Sequence, residues 1–260
     1  MLTQRPCRLI VDEPRNGVRN MAIDEALLWS AATEGTTTLR FYRWSEPTLS
    51  VGYFQAAADR ARHAASLSCP LIRRRSGGGA ILHHYELTYS LAIPAAELSD
   101  KYSRQLYLAF HETLAATLAE LGLPCQIAVA EPSRDDQFLC FARRASGDLL
   151  RGGDKICGSA QRRRRNALLQ HGSVLLRRSP WAPELPGIGD LAAENRNPPP
   201  GNIPLEPLLS FDSLVSRWTP RLFNFLKIAA MESRLTDKEL SEADRAADQM
   251  FALSEWNLRR

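Results

Sequence analysis

The chain has 260 residues and a mass of 29.0 kDa; 44% of its residues are hydrophobic, 24% are charged, and its formal charge is +4. That composition suits one large globular core. No run of eighteen apolar residues occurs, which excludes a membrane-spanning helix. The first residues lack the apolar stretch of a secretory signal, so a cytoplasmic protein is expected. Five cysteines (Cys7, Cys69, Cys125, Cys140, Cys157) form no CxxC pair and no Cys/His cluster at zinc spacing, so free thiols are expected, with no disulfide framework and no metal site.

In chain order, Asn20 reads as the N-cap of a helix over 21–32, in which Ile23, Leu27, Leu28 and Ala31 recur at helical spacing. Residues 37–44 and 48–54, rich in aromatic and β-branched types, read as two strands joined by a turn at 45–47, and 56–66 as a short helix. A strand at 70–74 enters the turn Gly77-Gly78-Gly79, and strands at 80–84 and 87–94 leave it with period-two alternation. Leu106, Phe110, Leu114, Leu118 and Leu121 mark the longest helix, from Tyr102 to Leu121, closed by Gly122 and Pro124. Residues 125–130 predict a strand, 147–163 a hairpin around Gly152-Gly153, and 167–176 another strand.

The proline-rich stretch 180–207 reads as a long loop outside the core, and a helix opens at Thr236 with Glu239 at capping-box spacing. Strands and helices are mixed without regular alternation. This predicts an α+β domain with a mixed, mostly antiparallel sheet flanked by helices. One catalytic domain over 1–260 is expected.

Two segments carry chemistry. Three consecutive glycines let a backbone approach a ligand and turn its amides inward, although a plain tight turn would look the same. Lys155, one of only four lysines among 33 basic residues, follows the second glycine turn. A lysine there can act as a compact charge or change protonation state, as arginine cannot. Cys140, in a polar and basic neighbourhood, is the best nucleophile candidate, and Cys157, two residues from Lys155 and read as sharing its strand face, is the rival thiol. A thiolate attacks an acyl carbon, and a nearby ammonium offsets the charge that develops, so cysteine plus lysine is the minimum set for acyl transfer. His83 and His171 can meet only through the fold, and neither shows an acid at a fixed offset that would define a triad.

Arginines 73–75, 143–144, 162–165 and 177–178 flank these segments, which suggests an acidic partner. The run 162–165 is either a solvated face or an alternation with two side chains inward and two outward. Nucleic acid is not expected, since no reader motif or interleaved aromatics accompany the arginines.

Six pieces together resemble the lipoate-protein ligase A family, whose catalytic domain is shared with biotin-protein ligases. They are "NMAIDEALL" from Asn20, "RFYRWSEPTLSVGYFQ" from Arg40, "RRRSGGGAILHHYELTYSL" from Arg73, "DKICGSAQRR" from Asp154, "QHGSVLL" from Gln170 and "EWNLRR" from Glu255. The resemblance implies a class II synthetase-like architecture and a substrate pocket lined by Arg74, Ser76, Gly77, Gly78, Gly79, His83, Gly158, Ala160 and His171. Cys140-Phe141 ahead of Lys155 is most similar to the cysteine-type octanoyltransferases, which implies Cys140 and Lys155 as catalytic residues. Where the family pattern has His-Asp or His-Asn after the glycine turn, this chain has His83-His84.

The reaction so implied moves octanoate from acyl carrier protein through a Cys140 thioester to a lysine of a lipoyl domain or of glycine cleavage H protein. It needs no cofactor and involves neither nucleic acid nor membrane. A monomer without a ligase accessory domain is expected. The alternatives are an ATP-dependent lipoate ligase working through lipoyl-AMP, and octanoyl transfer between two lipoyl-domain proteins.

Overall fold

Strand β1 (Pro6–Val11) leads into helix α1 (Gly17–Glu34), which is capped one turn earlier than expected, by Asn16. The Asn16 side-chain oxygen accepts from the Arg19 amide at 2.9 Å. Asn20 instead lies inside the helix, where its amide donates to the carbonyls of Arg15 and Arg43 and its oxygen accepts from Arg40. Both asparagines have cap-like sequence context, and tertiary partners for Asn20 decide between them. The structure is a computed structural model and describes residues 6–95, 99–129, 137–164, 166–194 and 205–259.

Strands β2 (Thr37–Tyr42) and β3 (Thr48–Val51) form as expected but do not pair with each other. Trp44 bridges to Arg15, and the Ser45 amide donates to the Arg15 carbonyl at 3.0 Å, which turns the chain out of the first sheet into a second. Residues 57–66 form two short 3₁₀ segments, Ala57–Arg62 and Ala64–Ser66, split at the non-helical His63. Strands β4 (Leu71–Arg73) and β5 (Ile81–His83) flank β3 in a three-stranded sheet, so the glycine turn does sit between strands.

Strand β6 (Glu86–Pro94) returns to the large sheet, and α2 (Asp100–Glu120) is the long helix, capped by Ser99. Then follow β7 (Gln126–Ile127), β8 (Leu149–Arg151), β9 (Asp154–Arg164) and β10 (Ala167–Leu175). The strand expected at 125–130 is reduced to two residues, with Ala130 outside the described residues. The remaining elements are α3 (Ile188–Glu194), α4 (Leu205–Leu208), α5 (Phe211–Leu226), β11 (Ala229–Glu232), α6 (Asp237–Ala246) and α7 (Ser254–Asn257). Thr236 and Glu239 form the predicted capping box at α6.

The large sheet has the order β11-β1-β2-β6-β10-β9-β8-β7, parallel across its first three strands and antiparallel elsewhere. This is the mixed, mostly antiparallel α+β arrangement expected. Tyr89 and Phe41 pack against Phe110 of α2 and Trp218 of α5, while Ile23, Leu27 and Leu28 of α1 join a separate apolar cluster. The proline-rich stretch is not simply a loop outside the core. Ala182, Ile188 and Ala192 are buried, and Asp190 accepts from the amides of Arg178 and Gly187 to start α3. Residues 195–204 of that stretch lie outside the described residues. Among the described residues no helix is long and apolar enough to cross a membrane.

Candidate active site

The glycine turn and the Cys140 segment are hydrogen-bonded neighbours. The Cys140 amide donates to the Ala80 carbonyl at 2.7 Å, and the Ala80 amide donates to the Phe138 carbonyl at 3.1 Å. A Cβ on Gly79 would lie 3.1 Å from the Cys140 backbone, so any side chain there would press the Cys140 segment away by a few tenths of an ångström. Arg74, fully buried behind the turn, donates to the Ser50 carbonyl and hydroxyl and to the Gly79 carbonyl, and burial pulls its guanidinium down to about 10. Among the described residues, none of the amides of Gly77, Gly78 and Gly79 donates to a protein acceptor.

Lys155 opens β9, and its Nζ donates to Cys140 Sγ at 3.5 Å while pairing with Asp148 Oδ2 at 2.9 Å. Both side chains of this pair are almost fully buried, at 5% and 2% exposure. Burial lowers the ammonium's affinity for its proton, but the adjacent Cys140 and Asp148 outweigh that and raise its pKa. Lys155 lies across Gly158, where a Cβ would come within 2.5 Å of its Cε. It also faces the Phe141 ring at 5.3 Å.

Lys155 and Cys157 do not share a face. Lys155 pairs with Leu150 and Cys157 with Leu149, so β9 carries one extra residue and its alternation flips. Cys157 therefore enters the main core, fully buried, and burial pushes its thiol far up. Cys140 is partly exposed on the wall of the slot.

The slot is lined by Arg74, Gly77, Gly78, His83, Cys140, Gly158, Ala160 and His171, all expected, and by apolar or aromatic residues including Met21, Trp44, Ile81 and Phe141. The other expected residues stand just behind this wall: Ser76 contacts His171 Nε2 at 2.6 Å, Gly79 backs Cys140, and Lys155 lies under Gly158. His84 turns elsewhere, its ring on Tyr85 and its Nδ1 on Ser179, in a separate cleft with Arg177 and Phe211.

His83 does have an acid partner, contrary to the sequence reading. Its Nδ1 lies 2.7 Å from Glu86 Oε1, three residues on, across the His84-Tyr85 turn that leads from β5 into β6. Arg74 can only donate, so Ser50 Oγ accepts from it and gives its own proton to His83 Nε2 at 2.6 Å. A neutral imidazole with Nδ1–H toward Glu86 satisfies that network, and burial favours the neutral form by lowering the pKa. The ring stacks on Trp44 with centroids 3.8 Å apart.

The arginines are largely occupied within the chain. Arg75, Arg162 and Arg164 converge on the single carboxylate of Glu25, while Arg163 turns outward toward Asp100 and Ser103. The alternation of faces holds for 162–164, but Arg162 and Arg164 turn to Glu25 instead of into the slot, and Arg165 lies outside the described residues. Three guanidinium groups on one carboxylate still leave a positive rim. Asp148, Glu86, Ser50 and Glu25 were not singled out by sequence. Asp148 had only its position between Cys140 and Lys155 as a signal.

Residues 16–180, which include every residue of this slot, match the family model for the lipoyl protein ligase A/B catalytic domain. The chain belongs to that family. Within the lipoyl protein ligase A/B family it is similar to the protein named octanoyltransferase LipM in Oceanobacillus iheyensis, with 41% identity over 63% of this chain and 61% of the relative. It is also similar to octanoyltransferase LipM of Halalkalibacterium halodurans, with 30% identity over 97% of this chain and 99% of the relative. The alignments to the first relatives span about three fifths of their length, 61% and 62%. Among solved structures, the bipartite lipoate protein ligase of Thermoplasma acidophilum, described with its E2 lipoyl domain, superposes with a TM-score of 0.71 at 23% identity, covering 99% of this chain and 98% of that one. That likeness shows a shared fold.

Proposed function

We propose that the protein is an octanoyltransferase of protein lipoylation, moving octanoate from acyl carrier protein to Cys140 and then to a lysine of a lipoyl domain or of glycine cleavage H protein. The observation that carries the reading is the Lys155–Cys140 contact on the wall of a partly apolar slot. The octanoyltransferase names of the relatives support it.

In the first half, Cys140 Sγ as thiolate attacks the octanoyl carbonyl. A carbon–sulfur bond forms to Cys140, the bond to the carrier's thiol breaks, and the leaving thiolate takes a proton from solvent. In the second half, the acceptor amine, having lost one proton to solvent, attacks the Cys140 thioester. A carbon–nitrogen bond forms, the Cys140–acyl bond breaks, the second amine proton is released, and the thiolate is regenerated. Both halves pass an oxyanion, for which the Lys155 ammonium and the Gly77–Gly79 amides are the donors at hand. Thioester exchange is near neutral and the final amide is lower in energy, so neither ATP nor a metal is required.

The positive rim around Glu25 suits acidic protein partners. In this reading the chain acts as a monomer in the cytoplasm. An ATP-dependent ligase would use the glycine turn and Lys155 but leave the position of Cys140 unexplained. The test is incubation with octanoyl carrier protein without ATP, followed by intact mass measurement. An octanoyl adduct that is absent in Cys140→Ser and removed by hydroxylamine is expected. Modification of a lipoyl domain only with ATP and free lipoate would move the assignment to the ligase.

A further inference from the structure

Asp148 sits where neither composition nor motif spacing called for a carboxylate. It is 1% exposed, and its Oδ2 accepts from the Ala145 amide at 2.7 Å as well as pairing with Lys155. Tyr107 of α2 donates to its other oxygen at 3.5 Å. The carboxylate is thus held by backbone and side chain before it meets the lysine, and a Cβ on Gly158 would come within 3.5 Å of its Oδ1. Burying a carboxylate and an ammonium together is costly and does little for stability by itself, so the pair invites a functional explanation.

We propose that Asp148 is a positioning residue that holds the Lys155 ammonium in place through the stage at which Cys140 carries the acyl group. The inference rests on the acyltransferase reading above. Before acylation Lys155 contacts the Cys140 sulfur, which the acyltransferase reading takes as the attacking thiolate, and the Asp148 carboxylate. After acylation the sulfur is a neutral thioester, and Asp148 alone remains to hold a cation that is 5% exposed. Without it, burial favours the neutral amine, which cannot offset an oxyanion as a cation does. Loss of Asp148 therefore weighs on the second half-reaction more than on the first.

The titratable groups facing the pair are Tyr107 and His111 from α2 and Cys157 from β9, while Arg74 from behind the glycine turn faces Cys140. None is a second anion at Lys155: burial raises the pKa of both the Tyr107 phenol and the Cys157 thiol and lowers that of His111.

The test separates the two half-reactions in the full chain, with Asp148→Asn and Asp148→Glu beside the parent. Octanoyl carrier protein loads Cys140, and intact mass gives the loading rate. A lipoyl domain is then added to the purified octanoyl protein and loss of the adduct is timed across pH. Asp148→Asn is expected to load within a few-fold of the parent yet discharge about 100-fold more slowly, as for removal of one oxyanion donor. Its discharge should fall off at lower pH than the parent's, and Asp148→Glu should recover most of the rate. Equal discharge rates in parent and Asp148→Asn overturn the proposal. So does a matched loss of loading and discharge, which would make Asp148 a support of the whole fold. Failure of the parent to load counts instead against the acyltransferase reading.

Discussion

Lys155 Nζ reaches Cys140 Sγ at 3.5 Å because a β-bulge at the start of β9 turns Lys155 toward the slot and Cys157 into the core. The thiol and the ammonium therefore meet on one wall. Cys140→Ala should abolish octanoyl transfer, and Lys155→Met should lower it by roughly 10²–10³-fold and also lower stability, because it leaves the buried Asp148 carboxylate without its partner. Lys155→Arg should restore little, since a planar guanidinium does not match a seat shaped for a slim chain over Gly158. Single-turnover transfer rates check all three, and near-parent activity in Cys140→Ala would remove the thioester from the mechanism.

Gly158 gives a sharper geometric test. A methyl group there would meet Lys155 at 2.5 Å and 2.8 Å, both at the far end of the chain. The side chain can swing aside, so Gly158→Ala should unfold little, costing about 1–2 kcal/mol. Displacing the ammonium by about 1 Å should still slow transfer by roughly 100-fold. A variant that melts like the parent and also turns over like it would show that Lys155 does not need its present seat.

Thiol labelling should distinguish the five cysteines. Burial pushes Cys7 up to about 12 and Cys125 to about 11, Cys157 higher still, and raises Cys69 as well. Cys140 is partly exposed and faces an ammonium. Iodoacetamide at neutral pH should modify Cys140 first, by peptide mapping, and octanoyl loading should protect it. Equal labelling of Cys140 and Cys125 would contradict this order.

What could be read from sequence was mostly local. The glycine turn between strands, the hairpin at Gly152-Gly153 and the capping box at Thr236 each depend on a few adjacent residues, and each forms. The partition of β2 and β3 into separate sheets depends on Trp44 and Ser45 meeting Arg15, which no short window reveals. Cys140 and Lys155 stood out by local chemistry and again by motif resemblance, and most of the slot residues came from the resemblance. Their partners Asp148, Glu86 and Ser50 are ordinary residue types whose meaning arises only when β5, β6, β8 and β9 assemble around them. The arginine runs were legible only as a positive bias: composition counts charges but cannot see that Arg75, Arg162 and Arg164 share Glu25, or that Arg73 is wholly internal.

Arg73 links the C-terminal segment to residues 52–55. Its guanidinium donates to the carbonyls of Gly52, Tyr53 and Gln55 on one side and of Trp256, Asn257 and Arg259 on the other. Its backbone is held as well, since the amide donates to Asn257 Oδ1 and the carbonyl accepts from Trp256 Nε1. Arg73→Ala leaves several inward-facing carbonyls without donors and should cost roughly 3 kcal/mol or more. For a chain of this size that corresponds to a melting temperature lower by about 5–10 °C. Truncation after Glu255 should lower it similarly, and a truncated chain that melts with the parent would deny the C-terminal segment this role.

Stability should decline on mild acidification because several imidazoles are held neutral. Burial, first, lowers the pKa of His83, His111 and His171, the last to about 3, where the charges of Arg74 and Arg162 act in the same direction. Unfolded histidines take up protons near 6.5, while the folded ones wait for lower pH. The unfolded chain therefore binds more protons in that window, and stability present above about pH 6.5 is lost as pH falls toward the folded values. Asp12 and Glu239, lowered by their arginine partners against the opposing effect of burial, add to the loss only below about pH 4.5. Buried Asp24, raised, acts in the opposite sense there. Between pH 7 and pH 5 the histidines alone should cost on the order of 2 kcal/mol, read as a lower urea midpoint. Substituting His171→Asn should flatten that slope, and a variant as acid-sensitive as the parent would assign the effect to His83 and His111.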